Sequence, residues 1–395
     1  MGYELRKVYM DNAAGMPVDP RVFEAMKTCF IENYGNPSSS HSFGASARNA
    51  LIESREKVAR LIGTEKPEEV IFTSGGTESN NLAIKGVAYR NKNRGNHIIT
   101  TTIEHISVIN ICKHLQKQGF EITYLPVDEQ GMVDPEKLRD EITDKTILTS
   151  VMYANGEIGT IQPIRDIGKI ARDNQIYFHV DAVAATGKVH INVEEENIDL
   201  LSISSNDMYG PKGVGALYIK KGTRIQPVTQ GGGQERGLRS GSENIPGIVG
   251  MGKAAEIAQE RISVEGKRLQ WLRDKLIKGV LDTIERSYLN GHPTKRLPSN
   301  ANLRFSYIEG ESLILGLDML GIQVSSGSAC TSKTLEPSHV LLEIGLAHEE
   351  AHGSLVFTLG NQNSEEDVDY VLEVLPGVVK RLRTMSPLTP KEMLR

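Results

Sequence analysis

Residues 200–215, LLSISSNDMYGPKGVG, pass from a short apolar run into a polar turn. Leu200, Leu201 and Ile203, with serines between them, read as a buried strand. The chain turns polar at Ser204-Ser205-Asn206-Asp207 and closes in the turn Gly210-Pro211-Lys212-Gly213. In open α/β sheets ligands gather beyond the carboxyl ends of strands. Asp207 is therefore expected at the floor of a site, although Ser-Asn-Asp alone is as consistent with a plain turn.

The same strand, polar loop and helix pattern recurs to either side. Val8-Tyr9-Met10 leads into Asp11–Gly15, and Pro20–Ile31 reads as a helix. Asn33–Gly44, NYGNPSSSHSFG, is a loop, either a binding edge or, more commonly for such a stretch, mobile surface, followed by an amphipathic helix over Ala45–Ile62. The strand Glu69–Phe72 runs into Thr73–Asn81 and a helix over Leu82–Tyr89, an arrangement whose free N–H groups and Thr77 hydroxyl suit a phosphate. It is neither a Walker sequence nor GxGxxG, and a plain capped helix is the alternative. His97–Thr101 is a strand after which His105 opens the helix Val108–Gln118, placing an imidazole to stack on an aromatic ligand or simply as a satisfied polar group. Ile122–Leu125 and Thr146–Met152 are strands flanking a helix over Pro135–Ile142, with a polar stretch at Tyr153–Thr160. The helix Ile164–Asn174 precedes the strand Tyr177–Val180, which ends at Asp181. This alternation predicts a mostly parallel sheet covered on both faces by helices.

Beyond the opening stretch, Gly215–Ile219 is a strand, and Gly231–Glu243 is a glycine- and arginine-bearing loop read as a lid or subunit contact. A helix over Ile248–Ile284 bridges to a smaller α+β region. A chain of 395 residues fits two domains. With 45 Lys and Arg against 50 Asp and Glu, net −5, it is not expected to bind nucleic acid or a membrane surface. No apolar run reaches the roughly 20 residues of a spanning helix, and MGYELRKVYMDNAAG shows no export signal, so a cytoplasmic location is expected. Cys29, Cys112 and Cys330 are too few and too scattered for a disulfide framework.

Taken together, DNAAGMPVDP (11–20), GNPSSSHSFG (35–44), FTSGGTESNNLAIKG (72–86), EHISVIN (104–110), NGEIGTIQPI (155–164), HVDA (179–182), YGPKGVGALY (209–218), GGGQERGLRSGSENI (231–245) and SSGSACTSKTLEPSHVL (325–341) resemble the cysteine desulfurases of the NifS/IscS type, over essentially the whole chain. The resemblance implies the fold of pyridoxal-phosphate (PLP) transferases of the aspartate aminotransferase type. That is a large α/β domain with a seven-stranded, mostly parallel sheet (17–260), a smaller α+β domain (1–16 and 261–395), and a homodimer. It implies that Gly76, Thr77 and Ser204 hold the PLP phosphate, with Ser242 reaching in from the partner subunit. Asp181 would bond the pyridine nitrogen, His105 would stack on the ring, and Asn155 would bond the ring hydroxyl or the substrate carboxylate. Cys330 would be the nucleophile that carries persulfide sulfur, while Cys29 and Cys112 fall in helical patterns and read as buried and inert.

Three positions depart from the family. Asn206-Asp207 stands where the family has His-Lys, the lysine that binds PLP covalently; Ala184 stands for a glutamine against the ring hydroxyl; Val356 stands for the arginine that clamps the cysteine carboxylate. A carboxylate cannot condense with an aldehyde, and near a phosphate it is repelled, unit charges about 4 Å apart interacting by about 4 kcal/mol at an effective dielectric of 20. Lys212 belongs to the family's ordinary GPKG turn. The main expectation is therefore a platform for iron–sulfur cluster assembly. It would dock an IscU-type scaffold and present Cys330 as a persulfide carrier or as a ligand of a shared [2Fe–2S] cluster. Its sulfur would come from cysteine or sulfide, and its PLP chemistry would be impaired or lost, with PLP noncovalent or absent. The alternative is a competent desulfurase turning L-cysteine into L-alanine and enzyme-bound persulfide with noncovalent PLP, Asp207 carrying the proton. The Cys330 motif argues against a transaminase, which needs no thiol there.

Overall fold

The computed structural model describes residues 6–327 and 337–394; Cys330 lies outside them. β1 (Val8–Tyr9) precedes α1 (Pro20–Ile31) and α2 (Ser42–Leu61). There follow β2 (Val70–Thr73), α3 (Gly76–Asn91), β3 (His97–Thr101), α4 (Ile106–Gln116), β4 (Glu121–Leu125), α5 (Pro135–Glu141), β5 (Thr146–Met152), α6 (Ile164–Asp173), β6 (Tyr177–Asp181), β7 (Leu200–Ser204) and β8 (Gly215–Ile219). These strands form a seven-stranded sheet in the order β2-β8-β7-β6-β5-β3-β4. It is parallel except at β8, which runs antiparallel to β2 and β7. Both faces of the parallel strands are covered, so they carry apolar runs such as Ile98-Ile99, Ile147-Leu148 and Leu200-Leu201, all buried. A polar seam crosses the sheet at His179, whose Nδ1 meets Ser150 Oγ at 2.8 Å and whose Nε2 meets Ser202 Oγ at 2.9 Å. Burial holds this imidazole neutral, pushing it down to about 3. The histidine of the HVDA motif is thus a core residue.

The remainder comprises α7 (Ile245–Thr283), β9 (Ser287–Asn290), β10 (Asn300–Phe305), α8 (Gly310–Asp318), β11 (Ile322–Gln323), α9 (His339–Glu343), α10 (His348–His352), β12 (Ser354–Thr358) and α11 (Glu365–Met385). β12, β10 and β9 make an antiparallel sheet, and β1 pairs in parallel with β11. Among the described residues four apolar clusters fill the interior, two of them the most extensive. One gathers the large sheet, α1 and α2; the other gathers Val8 and Met10 with α8, α11 and the small sheet. α7 serves both, burying Ile248, Met251 and Ala255 in the first and Leu269, Leu272 and Leu276 in the second. Arg296 ties the two regions together. Only 3% exposed, it donates to the Ile158 carbonyl at 3.0 Å, to Asn300 Oδ1 at 3.0 Å and to the carbonyls of Asn290, His292 and Asn300.

Some boundaries differ from the sequence reading. α2 begins at Ser42, inside the expected loop, because the His41 ring accepts from the Gly44 N–H and caps it. α3 begins at Gly76 rather than Leu82, so the polar TESNN residues are helical. The loop 231–243, expected as a lid or a subunit contact, is pinned at its centre. Glu235 is buried, and its carboxylate pairs bidentately with Arg55 at 2.7 and 2.8 Å and accepts from Phe72 N–H at 2.8 Å. Glu235→Ala leaves the Phe72 N–H unpaired and Arg55 with only the Val70 carbonyl, and is expected to lower unfolding free energy by about 3 kcal/mol in urea denaturation; Arg55→Leu/Glu235→Leu is expected to recover part of that loss.

Candidate active site

A cavity of about 620 Å³ opens beyond the carboxyl ends of β5, β6 and β7 and is closed on its far side by Ser299, Val356 and Thr358 of the smaller region. Gly76, Thr77, His105, Asn155, Asp181, Ser204 and Asp207 all line it. So do Ala184 and Val356, so the three positions read from the sequence as departures line one space with Asp207 among them. Ser242 is exposed on this chain and does not line its own cavity. Cys330 lies outside the described residues, while Gly327 and Ser338 to either side of it border the cavity. Cys29 and Cys112 are buried in α1 and α4, and burial pushes the Cys112 thiol up to about 12. Among the described residues no cluster of three or more His, Cys, Asp or Glu could hold a metal ion.

β6 delivers Asp181 to the cavity floor. Its Oδ2 accepts from Asn80 Nδ2 at 2.7 Å and its Oδ1 from the Val183 N–H at 3.1 Å. Asn80 also donates to Ser107 Oγ at 3.0 Å, and Ser107 Oγ meets His105 Nδ1 at 2.7 Å. One hydrogen-bonded chain therefore runs from the carboxylate to the imidazole. His105 Nδ1 accepts from the Ser107 N–H at 3.2 Å, so the proton of its neutral ring sits on Nε2. Asp181 and His105, the ends of this chain, are expected from the sequence, whereas the only signal for Asn80 is its place in the first turns of a helix whose composition reads as loop. At the other wall, the N-terminus of α3 presents Gly76 and Thr77 with their first N–H groups unused by the helix. An added Cβ at Gly76 would come within 2.5 Å of Val183 Cγ2, so only glycine lets α3 approach β6 this closely.

Asn155 is partly spent on structure: its Oδ1 accepts from the N–H groups of Glu157 and Ile158 at 2.9 and 3.0 Å, and its Nδ2 donates to the Ile103 carbonyl at 3.0 Å. One N–H remains for the cavity. Two acids, Glu104 fully buried and Glu157 half-buried, are not singled out by the sequence. Glu157 Oε2 accepts from Ser338 Oγ at 2.7 Å, and burial pushes this carboxyl up to about 7. Glu104 Oε1 accepts from Thr101 Oγ1 and the Met152 N–H, both at 2.8 Å, and burial pushes it up to about 8.

At the end of β7, Asp207 is not the bare anion that the sequence suggests. Lys188 reaches it from the segment after β6, with Nζ 3.7 Å from Asp207 Oδ1 and side chains 12% and 11% exposed. Lys188 Nζ also donates to the Ala184 carbonyl at 3.0 Å. Burial pushes Asp207 up and Lys188 down, and each partner's charge opposes the other's shift. The Ser204 hydroxyl, expected on a phosphate, also bonds Asp207. Lys212 is exposed, its Nζ 3.5 Å from the Met16 carbonyl, and it stays outside the cavity lining.

A carboxyl raised from 4.5 to about 8 stabilises the fold fully below its unfolded value, and that contribution fades as pH climbs toward 8. Glu104→Gln keeps an oxygen for Thr101 and Met152 and removes the titration. The variant is expected to show a flatter fall in Tm between pH 5 and 8 than the natural chain, as followed by circular dichroism.

The chain matches the family described as aminotransferase class-V over residues 8–371. It is 58% identical over 380 residues to "Cysteine desulfurase IscS 1" of Archaeoglobus fulgidus, an alignment covering 96% of this chain and 99% of that protein. Among solved structures, a "NIFS-like protein" superposes with a TM-score of 0.90 at 40% identity, covering 95% of this chain and 100% of the other. "SspA in complex with cysteine" superposes with a TM-score of 0.80 at 36% identity, over 89% and 99%. The seven-stranded sheet, the cavity at its strand ends and these likenesses place the chain in the class-V aminotransferase family, among the IscS/NifS cysteine desulfurases.

Proposed function

We propose that this chain draws sulfur from L-cysteine for iron–sulfur cluster assembly, leaving L-alanine and a persulfide on Cys330, with PLP resident in the cavity. The observation that carries the reading is the hydrogen-bonded chain from Asp181 through Asn80 and Ser107 to His105, facing the free N–H groups of α3. This set fits PLP: a carboxylate for the pyridinium, an imidazole for the ring face and a helix N-terminus for the phosphate. Asn80 Oδ1, buried and without a partner among the described residues, marks a polar position left open beside Asp181. PLP, when bound, supplies the electron sink that makes the Cα proton and the Cβ–S bond of cysteine labile.

The chain's own residues do the rest. Asn80 holds Asp181 as the charged partner of the ring nitrogen, and Ser107 fixes the plane of His105. Asn155 offers its remaining N–H to the ring hydroxyl or the substrate carboxylate. Asp207, paired with Lys188, is placed to take up a proton at the end of β7. Cys330, outside the described residues, takes the sulfur. Ser242 of a second copy would complete the phosphate site in a homodimer, and an IscU-type scaffold would receive the sulfur. The relatives, which are named cysteine desulfurases, support this reading, as does the structure of SspA with cysteine.

A second reading is favoured by Ala184, Asp207 and Val356 lying together in the cavity. With the usual lysine, glutamine and arginine missing, the chain would act chiefly as a docking platform. Cys330 would then ligate a shared [2Fe–2S] cluster, fed by sulfide. The deciding measurement is sulfide and alanine release from L-cysteine by the purified chain with added PLP. Turnover is expected, abolished by Cys330→Ser; equal release by that variant, or none by the natural chain, would reject the desulfurase reading. Positioned acid–base groups contribute ~10²–10⁴-fold in rate, so Asp207→Lys is expected to raise kcat by about 10²-fold in the same assay.

A further inference from the structure

The cavity carries a carboxylate where an amine is expected, yet it is not without an amine. Among the described residues, Lys188 is the lysine that lines it. Its Nζ stands 3.7 Å from Asp207 Oδ1 and is anchored by the Ala184 carbonyl at 3.0 Å. Ala184 itself occupies the position where the resemblance expects a glutamine, so the space beside Lys188 is bordered by a methyl group. We propose that Lys188 is the amine of this pocket, forming the covalent C=N bond to an aldehyde-bearing cofactor that residue 207 cannot form. The inference rests on the reading that PLP occupies the cavity.

The chemistry requires a lysine that is desolvated, near the site and supplied with a proton acceptor. Lys188 meets each condition. Its side chain is 12% exposed, it borders the same cavity as Asp181 and His105, and Asp207 is its acidic neighbour. In the condensation the ammonium gives one proton to Asp207. Nζ would then bond to the aldehyde carbon, and the aldehyde oxygen would leave as water with the two protons remaining on the amine nitrogen. No oxidant or reductant is consumed. The carboxylate at 207 thus becomes a partner to a relocated amine. Lys212, the nearer lysine in sequence, is exposed and turned toward Met16, and cannot take this part.

The test uses the purified full chain incubated with pyridoxal phosphate, freed of excess by gel filtration. One half is denatured to measure retained cofactor. The other half is reduced with borohydride, which converts a C=N bond into a stable secondary amine, and is then digested for mass spectrometry. The expected result is near-stoichiometric pyridoxyl adduct on the Lys188 peptide. Lys188→Arg, which keeps the charge beside Asp207 but cannot condense, is expected to lose the adduct and shift the visible band to that of the free aldehyde; Lys188→Met serves the same purpose should the arginine variant misfold. Retained cofactor with no adduct, or with the adduct on another lysine, would overturn the assignment of Lys188. No retained cofactor in the natural chain would overturn the PLP-bearing reading itself, and this inference with it.

Discussion

A carboxyl group buried at the end of a parallel strand obliges its neighbours to neutralise it, and around Asp207 they do. Two charges taken from water are each costly, and their attraction repays that cost only when they are close and otherwise hydrogen bonded. The segment after β6 brings Lys188 to Asp207, and the Ala184 carbonyl takes one of the ammonium's remaining protons. Position 207 therefore cannot be considered alone: its charge, the placing of Lys188 and the course of residues 182–188 form one unit.

The cavity wall on the other side is organised by the same economy. Asp181 has two hydrogen bonds, from Asn80 and the Val183 backbone, and keeps an edge toward the cavity. Asn80 binds Ser107, which binds His105, so helices α3 and α4 are keyed to β6 by side chains rather than by apolar packing alone. Glu104, one residue before His105, holds the end of β5 through the Met152 N–H. The placing of the imidazole thus depends on groups from three strands and two helices.

Much of this was legible in the sequence. Apolar runs ending in polar turns located β5, β6 and β7, and with them Asp181, Ser204 and Asp207. What stayed hidden were partners distant along the chain. Lys188 lies in a glycine-containing segment whose direction depends on how β6 exits the sheet. Asn80 sits in a helix start that looked like loop because Thr, Ser and Asn are poor helix formers, and the N-terminal fit of Gly76 against Val183 outweighs that propensity. Glu235 looked like lid because its loop is polar, yet its carboxylate is clamped inward by Arg55. Pairing between oppositely charged groups far apart in sequence leaves no periodic trace.

Arg296 has a mechanical consequence. Its guanidinium, lacking a carboxylate among its hydrogen-bond partners, is satisfied by oxygens on both sides of the seam between the large-sheet region and the smaller region, Ile158 on one side and Asn290 and Asn300 on the other, and burial pushes it down to about 9. Rotating the smaller region away from the sheet would strip those oxygens from a cation that water could reach only after the seam had parted. The joint therefore behaves as a weld rather than a hinge, and traffic into the cavity must pass around it, through side-chain and loop displacements at the rim.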